Sequence, residues 1–138
     1  ALQRGNSQSV LGALIAGIGT DIVAVDRLGR LYERHGARAL EKLLAPSEFA
    51  EFSRANDSAR FLAKRFAAKE ALGKALGIGV AAPATLPSIA VTHDELGKPA
   101  FGYAPPLARY LAERGLTAHL SISDEAAYAL AFVVLESA

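Results

Sequence analysis

A chain of 138 residues with 51% apolar and 21% charged side chains is long enough to bury one core and too apolar to stay disordered. A formal net charge of +1 gives no global field for nucleic acid or an anionic membrane, so an acidic partner has to be met by a local patch. The absence of cysteine excludes disulfides, a thiolate nucleophile and cysteine-ligated zinc or iron–sulfur centres, and fits a cytoplasmic protein.

Residues 1–13 read as a polar tail, leaving a single domain over 14–138. The apolar run from Val10 to Val25 is interrupted by Asp21 and falls short of the roughly 20 residues of a membrane span. It also continues into Asp21-Ile22-Val23 as one pattern, with no run of small residues to end a leader, which argues against a secretory signal.

From Ile15 to Val25 the β-branched content predicts a strand, with Ile15, Gly17, Gly19, Asp21, Val23 and Val25 on one face. Asp26 is the expected N-cap of a helix from Arg27 to about Arg34, ended by Gly36. Residues 37–44 carry helical spacing up to Pro46, and Ser47 is placed to cap another helix over 48–54. A long helix should start at Ser58 and run to Leu76, with Gly77 just past its end. Residues 88–93 predict a strand, joined by the turn Asp94 to Pro99 to a brief strand near Phe101. Pro105 and Pro106 open a helix that reaches Glu113. THLSIS and YALAFVVLE then flank Asp124-Glu125-Ala126 as an antiparallel hairpin. Helices gather in the first half and strands in the second, which favours an α+β fold over an alternating parallel one.

The long helix carries misplaced charge. At about 100° per residue, Phe61, Leu72, Arg65, Leu76, Lys69, Leu62 and Phe66 fall within one arc of roughly 140°. Arg65 and Lys69 therefore sit among apolar residues, and burying unpaired cations is expensive, so an anion should lie near them. Glu70 and Lys74 form an i,i+4 pair at the edge of the arc, while Ala63, Ala67, Ala71 and Ala75 allow close packing on another side. Asp21, inside GIGTDIV, is a carboxylate in a strand suited to burial and needs a cation of its own. Asp21 and Glu70 together suit Mg²⁺, whose remaining positions water and phosphate oxygens would fill. The bland alternatives are long cationic stems covering apolar surface and an aspartate that caps the next turn.

Gly19-Thr20-Asp21-Ile22, followed by Phe66-Ala67-Ala68-Lys69-Glu70-Ala71-Leu72-Gly73-Lys74-Ala75-Leu76-Gly77, resembles the two signatures of the 4′-phosphopantetheinyl transferases. The short length and the ending HLSISDEAAYALAFVV resemble the short, trimeric class of that family, over about Leu14 to Glu136. The resemblance implies an antiparallel sheet packed with a long central helix. It also implies transfer of phosphopantetheine from coenzyme A to a serine hydroxyl of an apo acyl carrier protein, releasing adenosine 3′,5′-bisphosphate. By motif position Asp21 and Glu70 are then the Mg²⁺ ligands, with Lys74, Lys69 and Arg65 as candidates for phosphate contacts. Glu70 or a metal-bound water would take the serine proton. His119 shares a strand face with Ser121 and Ser123, which the resemblance makes a contact for the nucleotide end of coenzyme A. A satisfied structural histidine accounts for it equally well.

Arg27, Arg30 and Arg34 recur at i, i+3 and i+7, within about 60° of one another, as a basic stripe. The family likeness implies that the acidic carrier protein docks there, and that the active site lies between subunits of a homotrimer. Among rival readings, GIGTDI lacks the third glycine of a dinucleotide fingerprint, and neither G-x-S-x-G nor H-E-x-x-H is present. The serious alternative is a non-enzymatic oligomeric interaction domain that binds an acidic partner through the arginine stripe.

Overall fold

The computed structural model describes residues 14–138, so the tail expected over 1–13 lies outside the described residues. In chain order the elements are β1 (Leu14–Ala24), α1 (Val25–His35), α2 (Ala37–Leu43), a 3₁₀ turn (Pro46–Glu48), α3 (Phe49–Arg54) and α4 (Ser58–Leu76). A second 3₁₀ turn (Leu86–Ser88) leads to β2 (Ile89–His93), β3 (Pro99–Tyr103), α5 (Pro105–Glu113), β4 (Leu116–Asp124) and β5 (Tyr128–Ser137). The α+β class holds: β1, β5 and β4 form an antiparallel sheet in that order, and β2 pairs with β3 in a separate hairpin.

Several local details differ from the sequence expectation. Asp26 lies inside the first turn of α1 and pairs with Arg30 at 2.7 Å instead of capping the helix. Ser47 lies inside the 3₁₀ turn and Glu48 takes the position before α3, with no side-chain cap; the Glu48 carboxylate instead accepts from the Ala45 N–H at 2.8 Å. The cap of α4 is Asp57, whose Oδ1 accepts from the Arg60 N–H at 3.0 Å; Ser58 is already helical. Its C-terminus is as expected, with Gly77 left-handed at φ 81° and its N–H on the Gly73 and Lys74 carbonyls.

The core forms where α4 lies across the sheet. Leu62, Leu72, Ala63, Ala67 and Ala71 of α4 are buried together with Val133 and Leu135 of β5 and Val23 of β1. Gly17 and Gly19 explain how close the two layers come: a Cβ at either would overlap a backbone carbonyl oxygen of α4, that of Ala75 or Ala71 respectively. The pairing register passes from Ile15↔Glu136 to Gly17↔Leu135, so a bulge precedes the glycines. Ile15, expected on the inner face, is consequently 73% exposed. Among the described residues no helix is long and apolar enough to cross a membrane.

Candidate active site

Beyond the bulge, β1 alternates strictly, so Asp21 points to the same side as Gly17 and Gly19, toward α4. The last two turns of α4 present Glu70 and Lys74 to it. Lys74 Nζ donates to Asp21 Oδ1 at 2.9 Å and to the Thr20 carbonyl at 3.0 Å. The Asp21 side chain is 15% exposed and that of Lys74 52%, so the pair sits at the mouth of a cleft with the ammonium outermost.

The Glu70 carboxyl is held above its ordinary proton affinity, first by partial burial and then by the charge of Asp21, against the opposing pull of Lys74 and Arg27. The two carboxylates thus repel each other beside a single exposed ammonium. That arrangement gains from a divalent cation, and one or two carboxylates are the usual protein share of a Mg²⁺ site. Among the described residues no group of three or more acidic or histidine side chains converges, so further ligands would be water and substrate oxygens.

Arg27, in the first turn of α1, also turns toward this cleft, with its guanidinium 5.3 Å above the Phe66 ring. Arg30 is engaged with Asp26 at the surface, and Arg34 lies exposed one turn further on. All three arginines are exposed, and the stripe runs along the surface from Arg27, whose charge reaches Glu70, out to Arg34.

Arg65 and Lys69 require a correction. Both are buried as the helical arc demanded, but the anion beside them is the protein's own Glu48. Lys69 Nζ donates to Glu48 Oε1 at 2.6 Å and to the Leu43 carbonyl at 2.8 Å, while Arg65 Nη1 donates to Glu48 Oε2 and the Val91 carbonyl, each at 3.0 Å. Lys69 is 0% exposed, so its ammonium is not open to a phosphate. Burial pulls Lys69 down to about 8, against the raising effect of Glu48. Burial would raise Glu48, yet the charge and hydrogen bond of Lys69 and the N–H groups of Val91 and Ala45 hold it below the ordinary carboxylate range. Sequence reasoning missed Glu48, although two cations in an apolar arc were a signal that such a residue had to exist.

His119 is not brought to Asp21 within the chain. It lies on β4, two strands away from β1, and on the outer face of the sheet, with Nε2 2.6 Å from Glu136 Oε1. That outer face also carries Ile18 and Ile22, 61% and 60% exposed, beside Tyr128, Leu130 and Phe132. An open cavity of about 350 Å³ lies elsewhere, between α1 and α2, walled by Leu31, His35, Ala39 and Leu43.

Residues 17–133 match the sequence profile of the 4′-phosphopantetheinyl transferase superfamily. A holo-[acyl-carrier-protein] synthase of Dechloromonas aromatica is 65% identical over 91% of this chain and 100% of its own length. The chain belongs to the holo-[acyl-carrier-protein] synthases of the 4′-phosphopantetheinyl transferase superfamily. Members of that family with solved structures share the fold. The synthase of Neisseria meningitidis superposes with a TM-score of 0.86 at 46% identity, over 88% of this chain and 98% of that one. The synthase of Bacillus anthracis, solved in complex with CoA (3′,5′-ADP), gives a TM-score of 0.76 at 32% identity, over 90% and 98% of the two chains. The family is one of enzymes, which sets aside the non-enzymatic reading.

Proposed function

We propose that the chain transfers 4′-phosphopantetheine from coenzyme A to a serine hydroxyl of apo acyl carrier protein, releasing adenosine 3′,5′-bisphosphate. The serine oxygen gives up its proton to Glu70 or a water and forms a bond to the phosphorus that carries pantetheine, while the diphosphate P–O bond on the nucleotide side breaks and its electron pair leaves with adenosine 3′,5′-bisphosphate. The observation that carries this reading is the convergence of Asp21, Glu70 and Lys74 at one cleft. Asp21 and Glu70 would hold Mg²⁺, which when bound supplies a Lewis acid for the diphosphate oxygens. Lys74 can exchange part of its contact with Asp21 for a phosphate oxygen and so stabilise charge that builds on the bridging oxygen as it leaves with the nucleotide phosphate. Arg27 stands between this cleft and the α1 surface, where Arg30 and Arg34 would meet an acidic carrier.

We further propose that the working form is a cytoplasmic homotrimer. The exposed apolar outer face of the sheet supports an interface there, since monomeric proteins seldom leave such a contiguous patch uncovered. His119, on that face, would then serve the nucleotide end of coenzyme A in a cleft completed by the next subunit. Incubation with coenzyme A, Mg²⁺ and an apo carrier protein, followed by intact-mass measurement, tests the reaction. The carrier should gain one phosphopantetheine, and the gain should vanish in Asp21→Ala and Glu70→Ala. A carrier mass that stays unchanged with the parent enzyme would refute the proposal.

A further inference from the structure

Glu48 is fully buried, and both of its oxygens are saturated with donors. Oε1 accepts from Lys69 Nζ at 2.6 Å and the Ala45 N–H at 2.8 Å; Oε2 accepts from Arg65 Nη1 at 3.0 Å and the Val91 N–H at 2.9 Å. Through the second bonds of Lys69 to Leu43 and of Arg65 to Val91, the cluster ties α4 to the end of α2, to the 3₁₀ turn and to β2. Arg65 also reaches Glu51 at 3.4 Å and lies 4.3 Å above the Phe61 ring.

Stability is a poor account of such a cluster, because apolar side chains of similar volume often replace a buried ion triad without loss. Directional hydrogen bonds supply register, which apolar packing supplies only where large side chains interlock. The other side of α4 has few such interlocks. It meets β1 through Ala71 and Ala75, and β1 answers with Gly17 and Gly19, so that contact is close but smooth. Glu70 and Lys74 hang from this same helix, and Glu70 directly follows the anchored Lys69.

We propose that Glu48 is a positioning residue for Glu70 and Lys74: by anchoring Lys69 and Arg65 it sets the rotation and axial position of α4 against β1, and hence the spacing of Glu70 from Asp21. The inference rests on the reading of Asp21 and Glu70 as joint holders of a divalent ion. Displacing a reacting group by about 1 Å can cost two orders of magnitude in rate, so a small slip of α4 would be felt.

The test is an apolar replacement of the whole cluster, Glu48→Leu with Arg65→Met and Lys69→Met, compared with the parent in melting temperature, kcat and Mg²⁺-dependent coenzyme A binding by calorimetry. A positioning role predicts a melting temperature at or near the parent's, with binding and kcat each reduced by at least about tenfold. A folded variant with binding and kcat unchanged would overturn the proposal. Should the triple variant fail to fold, Glu48→Gln measured well below its own melting temperature replaces it, with the same loss expected in both readouts. Failure of that near-isosteric variant to fold would also overturn the proposal, by making Glu48 a requirement of stability itself. If the parent binds coenzyme A equally well with and without Mg²⁺, the reading of Asp21 and Glu70 fails instead.

Discussion

Lys74 Nζ and Asp21 Oδ1 stand 2.9 Å apart although 53 residues separate them in sequence, and the same ammonium also holds the Thr20 carbonyl at 3.0 Å. One side chain thus ties the last turns of α4 to the strand that carries the acidic residue. Because half of that side chain is exposed, a phosphate oxygen can share its protons. Lys74→Ala should lower kcat/KM by about 10²–10³-fold, the usual cost of losing a donor to developing charge. Steady-state assays with apo carrier protein measure this, and a change within threefold would remove Lys74 from the mechanism.

Glu70 gives a pH dependence with a definite sign. Its folded proton affinity lies above the ordinary value of 4.5, so over the window between the two the folded state binds more protons than the unfolded state. Stability contributed by the protonated carboxyl is therefore present below 4.5 and lost as pH rises through the folded value. Glu70→Gln should raise the melting temperature of the metal-free protein at pH 7–8 and lose that advantage near pH 4, about the ordinary carboxylate value. Mg²⁺ should stabilise the parent and not the variant. Melting curves across pH, with and without the ion, decide it.

Glycine positions on either side of α4 give a prediction opposed to helix propensity. Gly73 lies inside α4, where alanine would ordinarily gain about 1 kcal/mol. Here a Cβ would stand 2.7 Å from the Gly79 carbonyl carbon and oxygen, so the turn after the helix would have to move. At Gly19 the obstacle is the Ala71 carbonyl oxygen. Both Gly73→Ala and Gly19→Ala should destabilise by about 1–3 kcal/mol, a loss of roughly 2–10 °C in Tm. A stabilised Gly73→Ala would mean that the 77–80 turn yields without cost.

Arginines on α1 should separate two effects. Arg34→Glu, remote from Glu70, is expected to raise KM for the carrier severalfold and leave kcat and coenzyme A affinity intact. Arg27→Glu should weaken the carrier and also lower kcat, because Arg27 lies over Phe66 and its charge reaches Glu70. Identical kinetics of the parent and Arg34→Glu would exclude this end of the stripe from docking.

Ile18 and Ile22 test the outer face. Replacing both with glutamate would put six like charges into the proposed trimer, two from each subunit, while touching nothing in the core, since both side chains point away from α4. Light scattering should report a monomer with a native circular dichroism spectrum. A parent that is itself monomeric would rule out the interface.

What the sequence determined was set by short-range physics. Strand alternation placed Asp21 with Gly17 and Gly19, the 3.6-residue period put Arg65 and Lys69 in the apolar arc, and Gly36 and Gly77 ended their helices at positive φ, Gly77 in the left-handed helical conformation and Gly36 in a more extended one. Tertiary structure decided the partners. Arg65 and Lys69 were expected to face a polyphosphate and instead face Glu48, because a chain segment 21 positions earlier returns a carboxylate to Lys69 at 2.6 Å. Likewise, periodicity gave His119 its neighbours on one strand face, but only the register, with His119 opposite Val134 and Val134 opposite Ile18, put that face opposite to Asp21. Period and capping are properties of adjacent residues, whereas the pairing of buried charges depends on which distant segments the packed layers bring together.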